Sequence, residues 1–369
     1  MDDSQSVAAR RVARVRASMA EHDLDGVLVS HLPNIRYLTG FSGSHAWLLV
    51  GPESGVFITD GRYGQQAEEE LPGSLNLELR VPPERVLTEV AKAAADLWKD
   101  RRAGFEGRRL TYSDWEKLTE DAAAVKWTAV QNLVEHIRSR KDETEIAAMR
   151  EAVRIAATAL EETLKLIVPG IREFEIASEL EYRMRRLGAE GPAFDTIVAS
   201  GERSALPHAG TGDREIREGD LLLCDFGARW KGYCCDLTRT FVVGEPQPRQ
   251  LEVYDLVLAA QKEACAALRD GAEGGTVDAA ARGVFAARDL AECFRHSTGH
   301  GLGLEVHEGP RLSHESEDRL VANMVVTVEP GLYFPGWGGV RIEDDLVVTL
   351  DQPLRLSDLD SGSLRQLPT

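Results

Sequence analysis

The chain has 369 residues, of which 43% are hydrophobic and 28% charged, a balance that suits a globular protein long enough for about two domains. Lys and Arg total 43 against 61 Asp and Glu, and the net charge of −18 excludes a nucleic-acid backbone or an anionic membrane surface as a partner. The N-terminal segment MDDSQSVAARRVARVRASMAEHDLDG holds no continuous apolar run, and nowhere does one approach the about 18 residues of a membrane helix, so a cytoplasmic location is expected. The cysteines, Cys224, Cys234, Cys235, Cys265 and Cys293, are odd in number and form no C-x-x-C pair, which argues against a disulfide framework and against zinc–thiolate chemistry. Cys224 and the Cys234-Cys235 pair read as small apolar strand residues.

In chain order, residues near 6–21 have a helical pattern, and GVLVS at 26–30 reads as a buried strand. AWLLV at 46–50 and GVFIT at 55–59 are further strands, and LPNIRYLTGFSGS before them carries turn signals. Helical stretches around 83–99 and 112–124 complete a small α/β domain over residues 1–135, with HIRSRKDETE as its exit. Ile146, Met149, Val153, Leu160, Leu164 and Ile167 then lie on one face of an amphipathic helix that VPG ends at 168–170, and a second helix runs from Glu173 to Leu187. From Phe194 the pattern turns to strands in TIVAS, LLLCDFG and GYCCDLTRTFVV, then to helices near 249–269 and 276–290, then to MVVTVEPGLY and GVRIEDDLVVTL. This second block, residues 136–369, reads as α+β, with antiparallel hairpins and the helices grouped between them.

Polar residues interrupt the apolar runs of that block at Asp225, Asp236, His300, Glu329 and Glu343. In CDFGARWKGYCCD, a tight turn at Trp230-Lys231 would set Asp225 directly opposite Asp236, an arrangement that like charges disfavour. Carboxylates are rarely buried unless paired or bound to metal, and four of them with an imidazole carry too much charge for one cation. Two divalent cations balance it, and the oxygen-rich donor set favours manganese, cobalt, iron or zinc.

In that order and spacing, CDFGARWKGYCCDLTRTF, HSTGHGLGLEVHEGP, VVTVEPGLY and GVRIEDDLVVT resemble the metal-binding signatures of the pita-bread metallopeptidases, a family of methionine aminopeptidases, Xaa-Pro aminopeptidases, prolidases and creatinases. The resemblance implies a creatinase-type N-terminal domain followed by a pita-bread catalytic domain, with Asp225, Asp236, His300, Glu329 and Glu343 as metal ligands. It also selects Glu343 over Asp344 and Asp345, a choice that spacing alone leaves open. The implied cofactor is a pair of divalent ions, manganese first, with cobalt or zinc as alternatives.

By the same resemblance, His208 in SALPHAG and His307 in EVHEGP would stabilise the reacting carbonyl, with Glu329 as general base. His296 and Arg341 would contact substrate, although Arg341 is equally placed to steady the ligand carboxylates through their shared strand face. YLTGFSGSHAWLLV and FITDGRYGQQA are similar to the Xaa-Pro aminopeptidases, which implies a homodimer that hydrolyses the first peptide bond of chains with proline at the second position. The alternative is an Xaa-Pro dipeptidase, and a more distant one is a non-catalytic peptide-binding member of the fold. Retention of every ligand position counts against the last of these.

Overall fold

A computed structural model describes residues 3–83 and 85–369. They divide into two compact units, Met1–Arg138 and Ser139–Thr369. No helix among the described residues is long and apolar enough to cross a membrane.

The N-terminal unit is built on a six-stranded mixed sheet. From one edge to the other its strands are Leu77–Arg80, Gly55–Thr59, Ala46–Val50, Gly26–Val29, Arg102–Glu106 and Lys126–Val130. The three strands read from sequence are fully buried and largely apolar, and Ala46–Val50 runs antiparallel between the other two. The other three, all added in parallel, carry exposed or half-buried polar residues and so lack the apolar run that marks a strand. LPNIRYLT, expected to be a turn, is instead the helix Leu32–Thr39. Its proline stands in the first turn, where the missing N–H costs nothing, and it buries Ile35, Tyr37 and Leu38.

In the second unit, Asp142 caps the helix Glu143–Thr163 through a reciprocal capping box with Glu145. This helix and Glu173–Arg186 pack Met149, Val153, Ile176 and Leu180 against strand residues Val198, Leu222, Cys224 and Phe226. A second core forms where helices Pro248–Ala267 and Gly274–Ala286 meet Val326, Val328, Ile342 and Leu346. Between the cores lie a sheet of four strands, ordered Arg365–Leu367, Leu237–Val243, Leu221–Phe226 and Ile197–Ser200, and one of five, ordered Glu308–Leu312, Gly299–Gly301, Val325–Val328, Asp344–Val347 and Leu354–Arg355. All of their pairings are antiparallel except that between the first two strands of the four-stranded sheet. Cys224, Cys234 and Cys235 are free and buried in the first core.

The hairpin register differs from the sequence expectation. Its turn is Lys231-Gly232, with φ of 49° and 83°, so that Trp230 pairs with Tyr233 and Asp225 with Thr238 rather than with Asp236. A two-residue turn with both central φ positive matches the twist of the flanking strands, and a glycine in the second position adopts that conformation where a bulky Trp would be strained. The shift moves the partner of Asp225 by two positions, so both aspartates keep the same face and sit diagonally instead of directly opposed.

Gly227 lies at the break in this hairpin, where an added Cβ would run into the carbonyl oxygen of Cys235 and crowd Phe194. Gly227→Ala is therefore expected to destabilise the second unit by about 1–3 kcal/mol. Gly210→Ala, whose Cβ would meet nothing within 4 Å, should be close to neutral. Chemical denaturation of the two variants tests the contrast.

Candidate metal centre

Strand alternation brings the polar residues of the second unit together. Asp225 is the penultimate residue of the Leu221–Phe226 strand, and Thr238, its partner in the ladder, projects from the same face. Thr238 also forms an isolated bridge with Glu343, which lies in the break between strands Gly338–Arg341 and Asp344–Val347. The Thr238 hydroxyl accepts from Arg341 Nε at 3.0 Å and donates to Glu343 Oε2 at 2.6 Å. On the neighbouring sheet, Thr327 accepts the His300 N–H at 3.1 Å and donates to Glu329 Oε1 at 3.2 Å. Each threonine stands two residues from a carboxylate of the set, Thr238 after Asp236 and Thr327 before Glu329, where strand geometry turns both side chains the same way.

Ligand atoms of Asp236, His300 and Glu343 all lie within 4.8 Å of one another. His300 Nε2 is 3.7 Å from Asp236 Oδ2 and 3.5 Å from Glu329 Oε1. Arg341 Nη2 donates to Asp225 Oδ2 at 2.6 Å, while Asp225 Oδ1 is buried with no hydrogen-bond partner. The sequence-derived set is thus gathered in one place by two different sheets.

The donor set fits divalent cations on three counts. First, burial pushes the carboxyl groups of Asp236 and Glu343 well above the usual carboxylate range, and repulsion from their acidic neighbours adds to it. Burial likewise raises Glu329 to about 7, against the pull of Arg341. Second, His300 is kept neutral by burial, and its Nδ1–H donates to the Gly301 carbonyl at 3.0 Å. The Nε2 lone pair therefore faces carboxylate oxygens, an unfavourable meeting unless a cation lies between them. Third, Asp225 Oδ1 is a buried acceptor left without a donor.

The histidines and Arg341 differ in exposure. His307 presents an exposed face while the other lies 4.4 Å, ring to ring, from His300, and partial desolvation on that side lowers its pKa. His208 is also exposed. His296 and Arg341 have polar atoms engaged by protein partners. His296 Nδ1 lies 2.9 Å from the Ser297 carbonyl and Nε2 lies 2.7 Å from the Tyr333 hydroxyl, and burial drives its pKa down to about 3. Arg341 bonds Thr238, Asp225, Tyr333 and the Pro207 carbonyl, with its side chain only 4% exposed. Tyr333 links the two, and sequence reasoning did not single it out, nor Thr238 or Thr327. Their positions two residues from chosen residues were the available signal for the threonines; Tyr333 gave none.

Buried carboxylates and an imidazole converging from antiparallel strands form a group able to hold metal ions. Comparison with known proteins narrows the class. Metallopeptidase family M24 matches residues 121–350, and the Creatinase/Prolidase N-terminal domain matches residues 11–140. The chain belongs to metallopeptidase family M24, and its second unit has the pita-bread fold. An Xaa-Pro dipeptidase of Pyrococcus horikoshii is 37% identical over 352 residues, which cover 94% of this chain and 96% of that protein. The solved structure of an Xaa-Pro dipeptidase from Bacillus anthracis is 40% identical with a TM-score of 0.92, covering 98% of this chain and 100% of that one. The structure of an X-Pro aminopeptidase from Thermotoga maritima is 37% identical with a TM-score of 0.86, covering 94% and 98% respectively.

A carboxyl whose folded pKa is raised contributes stability that is fully present below its unfolded pKa and is lost as pH rises through the folded value. For Glu329 that window runs from its ordinary 4.5 to about 7, and Asp236 and Glu343, raised in the same direction by burial, add to the fall above their own ordinary values. The unfolding temperature of stripped protein should fall across that window, and Mn2+ should remove most of the fall. A flat or rising profile in calorimetry would contradict the clustering of these carboxyl groups.

Proposed function

We propose that the protein is an Xaa-Pro dipeptidase whose two divalent cations, manganese first, with cobalt or zinc as alternatives, are held by Asp225, Asp236, His300, Glu329 and Glu343. The observation that carries the specificity is likeness, over nearly the whole chain, to proteins named Xaa-Pro dipeptidase. A cytoplasmic homodimer is part of the same reading, supported by family membership alone.

Bound there, the cations would polarise the scissile carbonyl and lower the pKa of water towards neutrality. Glu329 would take the proton of the attacking water and pass it to the leaving nitrogen. That transfer is needed because the proline nitrogen of an Xaa-Pro bond carries no hydrogen and leaves poorly as an anion. His208 and His307, exposed beside the carboxylate cluster, would donate to the oxygen on which negative charge develops. His296, Tyr333 and Arg341 form a fixed chain that orients Asp225.

A dipeptidase must also recognise the carboxylate that follows the proline. Arg311 is suited to this, because it pairs directly with His300 across the ladder and so projects from the same face. Its charge reaches His307, and its side chain has no carboxylate partner among the described residues. A longer peptide replaces that terminal charge with a neutral amide and gains less from Arg311. The likeness to the Thermotoga maritima aminopeptidase favours the second reading, in which the same end of the cleft admits longer chains.

With Mn2+ added, kcat/KM for Xaa-Pro dipeptides should exceed that for Xaa-Pro-Xaa tripeptides by about 10-fold or more, and Arg311→Met should lower the dipeptide value by about 10–100-fold with metal content unchanged. Released first residues are measured by chromatography. Equal cleavage of tripeptides, unaffected by Arg311→Met, would replace the dipeptidase with the aminopeptidase.

A further inference from the structure

Behind the metal centre lies a second buried charge cluster that touches none of the proposed ligand atoms. Strand alternation turns Thr238 and Thr240 toward the centre and Arg239 away from it. The Arg239 side chain is 3% exposed and that of Asp344 is 1% exposed, and the two are joined at 2.6 Å. Arg239 Nη1 donates to the backbone carbonyl of Thr238 at 2.9 Å and to that of Glu343 at 2.6 Å. The rest of its guanidinium bonds the carbonyls of Leu359 and Asp360. Asp344 in turn accepts from Ser357 Oγ, Gln261 Nε2 and Arg355 Nη2, each at 2.6 Å.

The position of Glu343 gives this cluster its meaning. Glu343 belongs to no continuous strand, and its backbone is held to the four-stranded sheet by a single bridge in which its N–H donates to the Thr238 carbonyl at 3.1 Å. Arg239 bonds the carbonyls on both sides of that bridge, so one guanidinium fixes the two backbones that carry Glu343 and the threonine hydroxyl bonded to it. A planar fork with several fixed donors can do this where a lysine ammonium on a flexible stem cannot reproduce the geometry. Asp344 anchors the fork from the other side, and Gln261 ties Asp344 to the helix Pro248–Ala267.

We propose that Arg239 and Asp344 are positioning residues for the metal centre, a buried clamp that sets where the Glu343 carboxylate lies and through it the affinity of the site for a divalent cation. The proposal rests on the ligand assignment above and is independent of whether dipeptides or longer peptides are cleaved. Its consequence is that metal binding depends on a charge pair that never contacts metal or substrate.

The test is calorimetric titration of chelator-stripped protein with Mn2+, read beside steady-state kinetics on an Xaa-Pro dipeptide. Arg239→Lys keeps the charge but loses the fork. It is expected to weaken Mn2+ binding by at least about 10-fold and to lower kcat more than it raises KM, with recovery toward wild-type kcat at saturating Mn2+. Ser357→Ala and Gln261→Leu each remove one donor from Asp344 and should weaken Mn2+ binding in the same direction by smaller factors. Wild-type Mn2+ affinity in folded Arg239→Lys overturns the proposal, as does wild-type affinity in both milder variants should Arg239→Lys not fold. Because Mn2+ affinity is measured without substrate, an error in the assigned peptide specificity leaves this result intact. Loss of the ligand set itself would show instead as absent Mn2+ binding in the wild type.

Discussion

Mutual repulsion among carboxylates removed from water is the interaction around which the catalytic unit is arranged. Burial disfavours ionisation of Asp236 and Glu343, and repulsion adds to it, from Glu343, Asp225 and Glu329 at Asp236 and from Glu329 and Asp225 at Glu343. A core of this kind costs several kcal/mol for each uncompensated charge, so the surrounding elements must either supply positive charge or hold the carboxylates against repulsion. Arg341 does the first at Asp225, and the threonine hydroxyls of Thr238 and Thr327 do the second at Glu343 and Glu329. The helices and the two apolar cores give these strands a rigid backing, which lets side chains from separate sheets meet with little freedom to drift apart.

Much of this was legible in the sequence because strand periodicity is insensitive to small errors in pairing. The turn of the Asp225 hairpin lies one residue later than Trp230-Lys231, and the whole register moves by two. A two-residue shift preserves the face of every side chain, so Asp225 and Asp236 still converge although they are not directly opposed. The strands found from sequence are those buried on both sides, such as Ala46–Val50 and Gly55–Thr59, where apolar runs are continuous. Those missed, such as Lys126–Val130, alternate polar and apolar residues weakly and owe their state to a neighbouring strand. The helix Leu32–Thr39 was hidden for another reason: its proline and asparagine read as turn residues, and only burial of Asn34, bonded to Glu106, Glu135 and Arg138, makes a polar side chain at home there.

The roles of the histidines and Arg341 were less accessible than their identities, and exposure explains why. His296 and His307 lie in the same short stretch of sequence, yet one is locked between Ser297 and Tyr333 while the other lies open beside His300. No local pattern separates them, because the difference is set by Tyr333, a residue 37 positions away from His296. Arg341 shows the same dependence. Its alternation with Glu343 placed it near the carboxylates, but the four partners that occupy its guanidinium come from separate segments.

The run Glu343-Asp344-Asp345 carries the point furthest, since three adjacent acids receive three different treatments. Glu343 faces the other carboxylates and is left with a single threonine donor, which keeps it available to a cation. Asp344, on the opposite face, receives two arginines, a serine and a glutamine, and is fully satisfied. Asp345 turns back toward the Glu343 side and accepts the backbone N–H of Asp236 at 3.1 Å, while burial pushes its carboxyl well above the ordinary range. One residue of the run is thus compensated by fixed protein charge, one is directed at a backbone, and one is left uncompensated. The uncompensated acid is the one grouped with Asp236 and His300, which is the physical difference between a structural ion pair and a carboxylate open to a cation that spacing in the sequence does not express.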